Sequence, residues 1–211
     1  MENDTPNKIK ISKEIIATLP IETFPGKIVV IDNEKDADNA LLQLNNERII
    51  GFDTETRPTF KKGKSNHVAL IQLSTHDTCY LFRINRIGFT PAIKNLLENE
   101  SLLKVGISLK DDFCMLSRLN GGQFIPKNFI ELQKFVKKYN IEDQSLQKIY
   151  GIVIGKKISK GQRLSNWEAD HLTENQQLYA ATDAWSCIKI YEVLKSGKFK
   201  SPIYKIQPSS L

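Results

Sequence analysis

Two apolar runs separated by three residues set the frame for this chain: HVALIQLS (67–74) and TCYLFRI (78–84), joined by Thr75-His76-Asp77. Both are rich in branched and aromatic side chains, and both read as strands. A link that short suits a hairpin, so the two strands are expected to run antiparallel. RIIGFDTET (48–56) reads as a strand just before them, and IVVI (28–31) as another near the start. Further on, strand and helix patterns alternate. PAIKNLLEN (91–99) is a predicted helix, LLKVGIS (102–108) a strand, KDDFCMLSRL (110–119) a helix and FIEL (129–132) a strand. Helical spacing returns near 132–138, near 143–151 and in a long segment from Thr173, where TENQ fits a capping box with Gln176 at its third position. DNEKDADNALLQL, after the first strand, is also helical, with Asp32 as its expected N-cap. A meander followed by alternating strands and helices predicts an α/β fold: a mixed central sheet flanked by helices.

With 211 residues, 40% hydrophobic and 26% charged, the chain has the balance of one globular domain. Pro6, Pro20 and Pro25 mark residues 1–25 as a peripheral arm, leaving a domain over 26–197 and a tail over 198–211. No apolar run approaches membrane-spanning length, and the polar start MENDTPNKIK does not read as a secretory signal. Cys79, Cys114 and Cys187 are scattered in apolar contexts, which suits buried thiols in a reducing cytoplasm better than disulfides or zinc. His67, His76 and His171 share no ligand spacing. The net charge of +6 is compatible with a polyanionic partner. Its cations cluster in two glycine-containing loops: Lys61, Lys62 and Lys64, then Lys156, Lys157, Lys160 and Arg163. Either loop, taken alone, reads equally as a solvated surface.

The carboxylates carry more information. In LTENQQLYAATDAWSCIKIYEVL, an advance of about 100° per residue places Asp183 among Cys187, Ile190 and Leu194, on the apolar side opposite Thr182 and Lys189. Tyr179 lies one turn earlier and leans the same way. A lone carboxylate on a buried face is costly and needs a partner. Asp53 and Glu55, two apart on a strand, project from one face and repel each other unless a proton or a cation intervenes. Hard divalent ions such as Mg²⁺ or Mn²⁺ take oxygen ligands of this kind, and a pair of them serves phosphoryl transfer. Each motif alone is weak. Asp32-Asn33-Glu34 repeats D-x-E, and Tyr139 with Asp143 repeats the Tyr-x-x-x-Asp spacing. Context separates the copies: Asp32 and Glu34 open a helix, Asp143 reads as the cap of the next one, and nothing local explains Asp53 and Glu55. In KVGISLKDDFCML, Asp111 and Asp112 both lie where a strand hands over to a helix, so each is a candidate cap or a candidate site acid.

In this order the motifs resemble the DEDD 3′→5′ exonucleases of RNase H-like (DnaQ-like) fold. The likeness is nearest to the Werner-type exonuclease domain, with RNase D next. It runs through IIGFDTE, HVALIQLS, CYLFRI, LLENESLLKVGIS, SNWEADHLTENQQLYAATDAW and IYEVL, roughly residues 28–195. The resemblance implies a two-metal nuclease using Mg²⁺ or Mn²⁺. Asp53, Glu55 and Asp183 would hold one ion, Asp53 would be shared with the second, and Asp112 would hold that second ion through water. Asp112 fits the family's spacing from Lys104 and Asp111 falls one short. Tyr179 would position the attacking water, and Leu178 stands where the histidine subgroup has its histidine, which places the chain in the tyrosine subgroup. The implied partner is DNA or RNA with a free 3′ end, DNA being favoured, and the lysine clusters are candidates to hold its phosphates. Trp167 matches a family tryptophan, as a packing residue or a substrate contact, but the segment after it differs. Thr56 and Arg57 depart from the aromatic-Pro pair that follows D-x-E in the Werner-type domain, so substrate preference does not transfer directly. A degenerate nuclease fold that only binds nucleic acid, or a phosphatase using the same metals, are the competing readings. No protein partner is legible.

Overall fold

The computed structural model describes residues 8–57 and 67–200. Among the described residues, twelve helices and strands lead up to the C-terminal elements. A short helix α1 (Lys13–Thr18) precedes β1 (Lys27–Ile31), α2 (Glu34–Leu44), β2 (Ile49–Thr56), β3 (Val68–Ser74) and β4 (Thr78–Phe82). Then come α3 (Ile84–Ile87), α4 (Pro91–Glu98), β5 (Leu103–Gly106), α5 (Leu109–Leu119), β6 (Phe129–Glu131) and α6 (Leu132–Phe135). A 3₁₀ turn (Val136–Tyr139), α7 (Leu146–Ile154) and the 22-residue α8 (Glu174–Lys195) complete the order. The strands form one mixed sheet in the order β1-β4-β3-β2-β5-β6. The expected hairpin is there: β3 and β4 pair antiparallel, as do β2 and β3. The pairs β1 with β4, β2 with β5 and β5 with β6 are parallel. The strand-then-helix alternation thus folds as a mixed six-stranded sheet flanked by helices.

Each face of the sheet has its own core. Phe52, Ile71, Leu73, Leu96, Leu109 and Leu116 meet under α2, α4 and α5. Leu81, Ile149, Tyr150, Ala181, Cys187 and Ile190 meet under α7 and α8. Each fully buried side chain of this size stabilises by about 1.5–3 kcal/mol. Helix α8 crosses β2, β3, β4 and β5 and starts on the expected capping box at Thr173 and Gln176.

Several local expectations change. The N-cap of α2 is Asn33, whose side chain accepts from the Asp36 amide, so Asp32 stands outside the helix. Ser145, not Asp143, caps α7. Asp143 instead accepts from the Ile11 amide at 2.8 Å and pairs with Lys148 at 2.7 Å. Cys114 is exposed, while Cys79 and Cys187 are buried. Residues 8–25 are built into the fold, sending Ile9, Ile11, Ile16 and Phe24 into the core. They also cover the side of α8 that the helical pattern marks as polar. Thr182 accepts from the Phe24 amide at 3.0 Å, and Lys189 pairs with Glu22 at 2.8 Å. The long helix is therefore buried nearly all round over Tyr179–Ile188.

Gly51 sets how closely α8 can approach. It faces α8 from β2, and a Cβ there would lie 1.9 Å from the Ala184 carbonyl oxygen. Both partners are backbone or fixed by secondary structure, so the contact cannot relax by a rotamer change. Gly51→Ala is expected to lower stability by about 2–3 kcal/mol. That corresponds to a drop of roughly 4–12 °C in thermal midpoint for a chain of this size, read by calorimetry.

Candidate active site

The glycine that admits α8 starts a run on one strand face: Gly51, Asp53 and Glu55 alternate toward the helix. Asp183 is the neighbour of Ala184, the residue pressed against Gly51. The result is a cluster in which ligand atoms of Asp53, Glu55 and Asp183 all lie within 4.8 Å of one another. Asp183 is 8% exposed. Burial raises the Asp53 carboxyl well above its ordinary range, and repulsion from Asp183, Glu55 and Asp112 adds to it. Burial, then the Asp183 and Asp112 charges, push Glu55 up to about 9. Asp183 is raised to about 7 by burial, against the opposing pull of the Tyr179 hydroxyl and Lys160. Crowded acids of this kind await protons or cations.

Asp112 reaches the same place from the other side of the sheet. Strand β5 pairs with only Ile49–Gly51 of β2, so the acidic half of β2 runs past its end. Thr54 points to that open side, and its hydroxyl donates to the Asp112 carboxylate. Burial raises Asp112 to about 6, with the Thr54 hydrogen bond opposing. The helix carrying Asp112 is seated by a distant residue that no local sequence pattern marks, Glu131. Ser108 sits in the left-handed region at φ 59°. The Glu131 carboxylate accepts from the amides of Ser108 at 3.0 Å and Leu109 at 2.8 Å. Neither Asp111 nor Asp112 caps the helix; Glu131, 23 residues from Ser108, does that work from the end of β6. No local pattern announces it. Thr54→Val keeps the shape and removes the hydroxyl. About a tenfold loss in turnover is expected, matching the roughly 1.5 kcal/mol of a hydrogen bond to a charged group. Steady-state kinetics beside an unchanged far-ultraviolet spectrum would check it.

Tyr179 is 8% exposed beside Asp183. Burial and the charges of Asp183 and Glu55 raise its hydroxyl above the ordinary tyrosine value, so it stays protonated. Trp167 is fully buried behind it, ring centroids 6.1 Å apart, and has no face left for a base. Of the second basic loop, Lys160 acts on Asp183 and Arg163 on Glu55. Lys156 pairs with Glu22 at 2.7 Å, and Lys157 donates to the Ala17 carbonyl, so these two hold the N-terminal residues in place. Lys61, Lys62 and Lys64 lie outside the described residues. Tyr139 and Asp143 do not share a helix face: the Tyr139 hydroxyl donates to the Leu194 carbonyl.

The cluster's donors are all carboxylate oxygens, the set that hard divalent cations prefer. A second observation agrees. Gln72 is fully buried and stands directly across from Asp53 in the β2–β3 register, yet both ends of its amide lack a partner among the described residues. A buried amide of this kind implies a further polar occupant beside the acids.

A mixed sheet flanked by helices, with its acids gathered where the central strand outruns its neighbour, is the RNase H-like exonuclease architecture. The chain belongs to the 3′-5′ exonuclease family: residues 28–197 match that family's model. It is a hydrolase acting on phosphodiester bonds. It is 36% identical over 203 residues to the bifunctional 3′-5′ exonuclease/ATP-dependent helicase WRN of Mus musculus, covering 90% of this chain and 14% of that protein. It is 27% identical to the exonuclease mut-7 homolog of Aedes aegypti, covering 77% of this chain and 26% of the relative. The chain thus spans a minor part of these two relatives. The Aedes aegypti Nibbler EXO domain superposes with a TM-score of 0.74 at 24% identity, covering 83% of this chain and 91% of that one. Escherichia coli RNase D gives 0.72 at 20% identity, over 82% and 45%. No helix among the described residues is long and apolar enough to cross a membrane.

Proposed function

We propose that this chain shortens nucleic acid from a free 3′ end, releasing nucleoside monophosphates, with two divalent ions, Mg²⁺ or Mn²⁺, held by Asp53, Glu55, Asp112 and Asp183. The convergence of three carboxylates within 4.8 Å carries the reading. Bound ions of this class supply an activated water and neutralise charge on the phosphate and the leaving oxygen. The chain's own residues do the rest. Asp53 feels the charges of Asp183, Glu55 and Asp112 together, which supports it as the ligand that both ions would share. The protonated Tyr179 hydroxyl, beside Asp183, fixes the direction from which water approaches the phosphorus. Lys160 and Arg163 are exposed cations whose charges act on Asp183 and Glu55, and they bind phosphate oxygens on arrival. Trp167 backs Tyr179 and keeps its ring from turning.

DNA is the favoured substrate, on the likeness to the Werner-type domain through IIGFDTE; Thr56, Arg57 and the segment after Trp167 depart from that domain, so the digestion below decides the preference. RNA is the second reading, since the fold is equally that of RNase D. Free thiols at Cys79, Cys114 and Cys187 suit a reducing compartment such as the cytoplasm. Digestion of matched 3′-labelled and 5′-labelled DNA and RNA, with Mg²⁺, Mn²⁺ or EDTA, tests the whole. A ladder shortening from the 3′ end, abolished by EDTA and faster on DNA, is expected. Salt-sensitive binding with no product in either metal would make the chain a binding module instead.

A further inference from the structure

A cleft of about 700 Å³ opens beside the first turn of α5, one residue from Asp112. Its walls carry Lys110, Lys134 and Lys137, all exposed, and its apolar side is the edge-on pair Phe113–Phe129, ring centroids 4.8 Å apart. Lys134 and Lys137 are three apart along α6 and the following 3₁₀ turn, so they project in a row. Among the described residues, none of these three lysines has a carboxylate within 4 Å. Lys127, Lys148 and Lys156, by contrast, are all paired. Two acids border the cleft. Glu131 is engaged with the amides of Ser108, Leu109 and Gln133, and Asp111 is exposed. Lys137 and Gln144 also border a second hollow of about 510 Å³, which continues to Lys8 and Lys10, both paired with Glu142. A cationic groove with an aromatic wall therefore starts at the flank of the acidic site and leads away from it.

We propose that this groove carries the substrate strand upstream of the scissile bond. Lys110, Lys134 and Lys137 take successive phosphates, and Phe113 and Phe129 offer an apolar wall to the sugars and bases between them. Unpaired cations in a row beside a phosphodiester-cutting site complement a single strand, whose charges recur at every nucleotide. The inference rests on the carboxylate cluster being the cutting site.

The test uses the full chain with Lys110→Ala, Lys134→Ala and Lys137→Ala combined. A control triple removes the same charge elsewhere, at the exposed Lys13, Lys35 and Lys195. Binding of a single-stranded 20-mer is measured against salt in a background carrying Asp53→Ala, and turnover of a dinucleotide in the active background. In the groove variant, 20-mer affinity is expected to fall at least tenfold, and the salt slope by about 2, from roughly 0.7 per phosphate contact. Dinucleotide turnover should stay within twofold, and arginine at all three positions should restore the slope. Unchanged affinity and slope, or an equal loss in the control triple, would overturn the groove. Failure of the catalytic reading looks different: the parent chain would leave the dinucleotide uncut while the slope difference between the two triples persisted.

Discussion

Asp53→Ala is expected to lower hydrolysis from the 3′ end by roughly 10³–10⁴-fold, since losing the proposed shared ligand would remove several kcal/mol of charge stabilisation at about tenfold per 1.4 kcal/mol. Asp53 is the acid most crowded by the others: Asp183, Glu55 and Asp112 all act on it. Removing it takes away the one carboxylate on which the other three all act. Asp32→Ala is the matched control, because Asp32 belongs to the second D-x-E, is exposed at the start of α2, and should leave the rate unchanged. The variant should also fold well, because it relieves repulsion among buried acids. Its thermal midpoint in EDTA is expected to equal or exceed that of the parent. An Asp53→Ala chain that keeps more than a tenth of parental activity would sink the mechanism.

The metal-free protein is expected to lose stability as pH rises from 5 to 8, and divalent ions to reverse the loss. Folding raises the pKa of Asp112 to about 6, of Asp183 to about 7 and of Glu55 to about 9, from ordinary values of 3.8 and 4.5. A carboxyl whose folded pKa lies above its unfolded one binds more protons when folded. Its contribution is complete below pH 4 and drains away as pH climbs through the folded values. Two other groups act outside this window. Glu22, lowered to about 2 by hydrogen bonds from Lys156, Lys189 and Tyr150 against the cost of burial, adds stability that is lost only in acid. Lys104, lowered to about 8 by burial, favours the fold only as pH rises above 8. Divalent ions compete with protons for the same oxygens, so their stabilisation grows with pH. At a hundredfold excess over Kd they add about 2.7 kcal/mol, a rise of roughly 5–11 °C in thermal midpoint. Calorimetry from pH 5 to 8, in EDTA and in Mn²⁺, measures both. A midpoint in EDTA that is flat or climbs over this range would contradict the crowded-acid account.

The site's legibility differs residue by residue. Asp53 and Glu55 were readable because a strand alternates every two residues, so D-x-E puts both acids on one face whatever surrounds it. Tyr179 and Asp183 were readable because four residues make about one helical turn. Asp112 was only half readable: the strand-to-helix handover marked its neighbourhood, but the same pattern fitted a cap, and Asp111 fitted as well. What excludes the cap is Glu131, which occupies those amides. The basic loop split in the same way. Composition showed four cations; only the fold distributed them, Lys156 and Lys157 to the N-terminal residues, Lys160 and Arg163 to the acids.

The order and type of most strands and helices, the capping box at Thr173 and the two acidic faces are legible from local pattern alone. All of these follow from periodicities within one or two turns of chain. Tertiary structure decided what those faces meet. It set Gly51 under Ala184, Thr54 on Asp112, Gln72 across from Asp53 and residues 22–24 over the polar side of α8. These contacts join positions tens to more than a hundred residues apart. They rest on which element packs on which face of the sheet, and no short stretch of sequence records that.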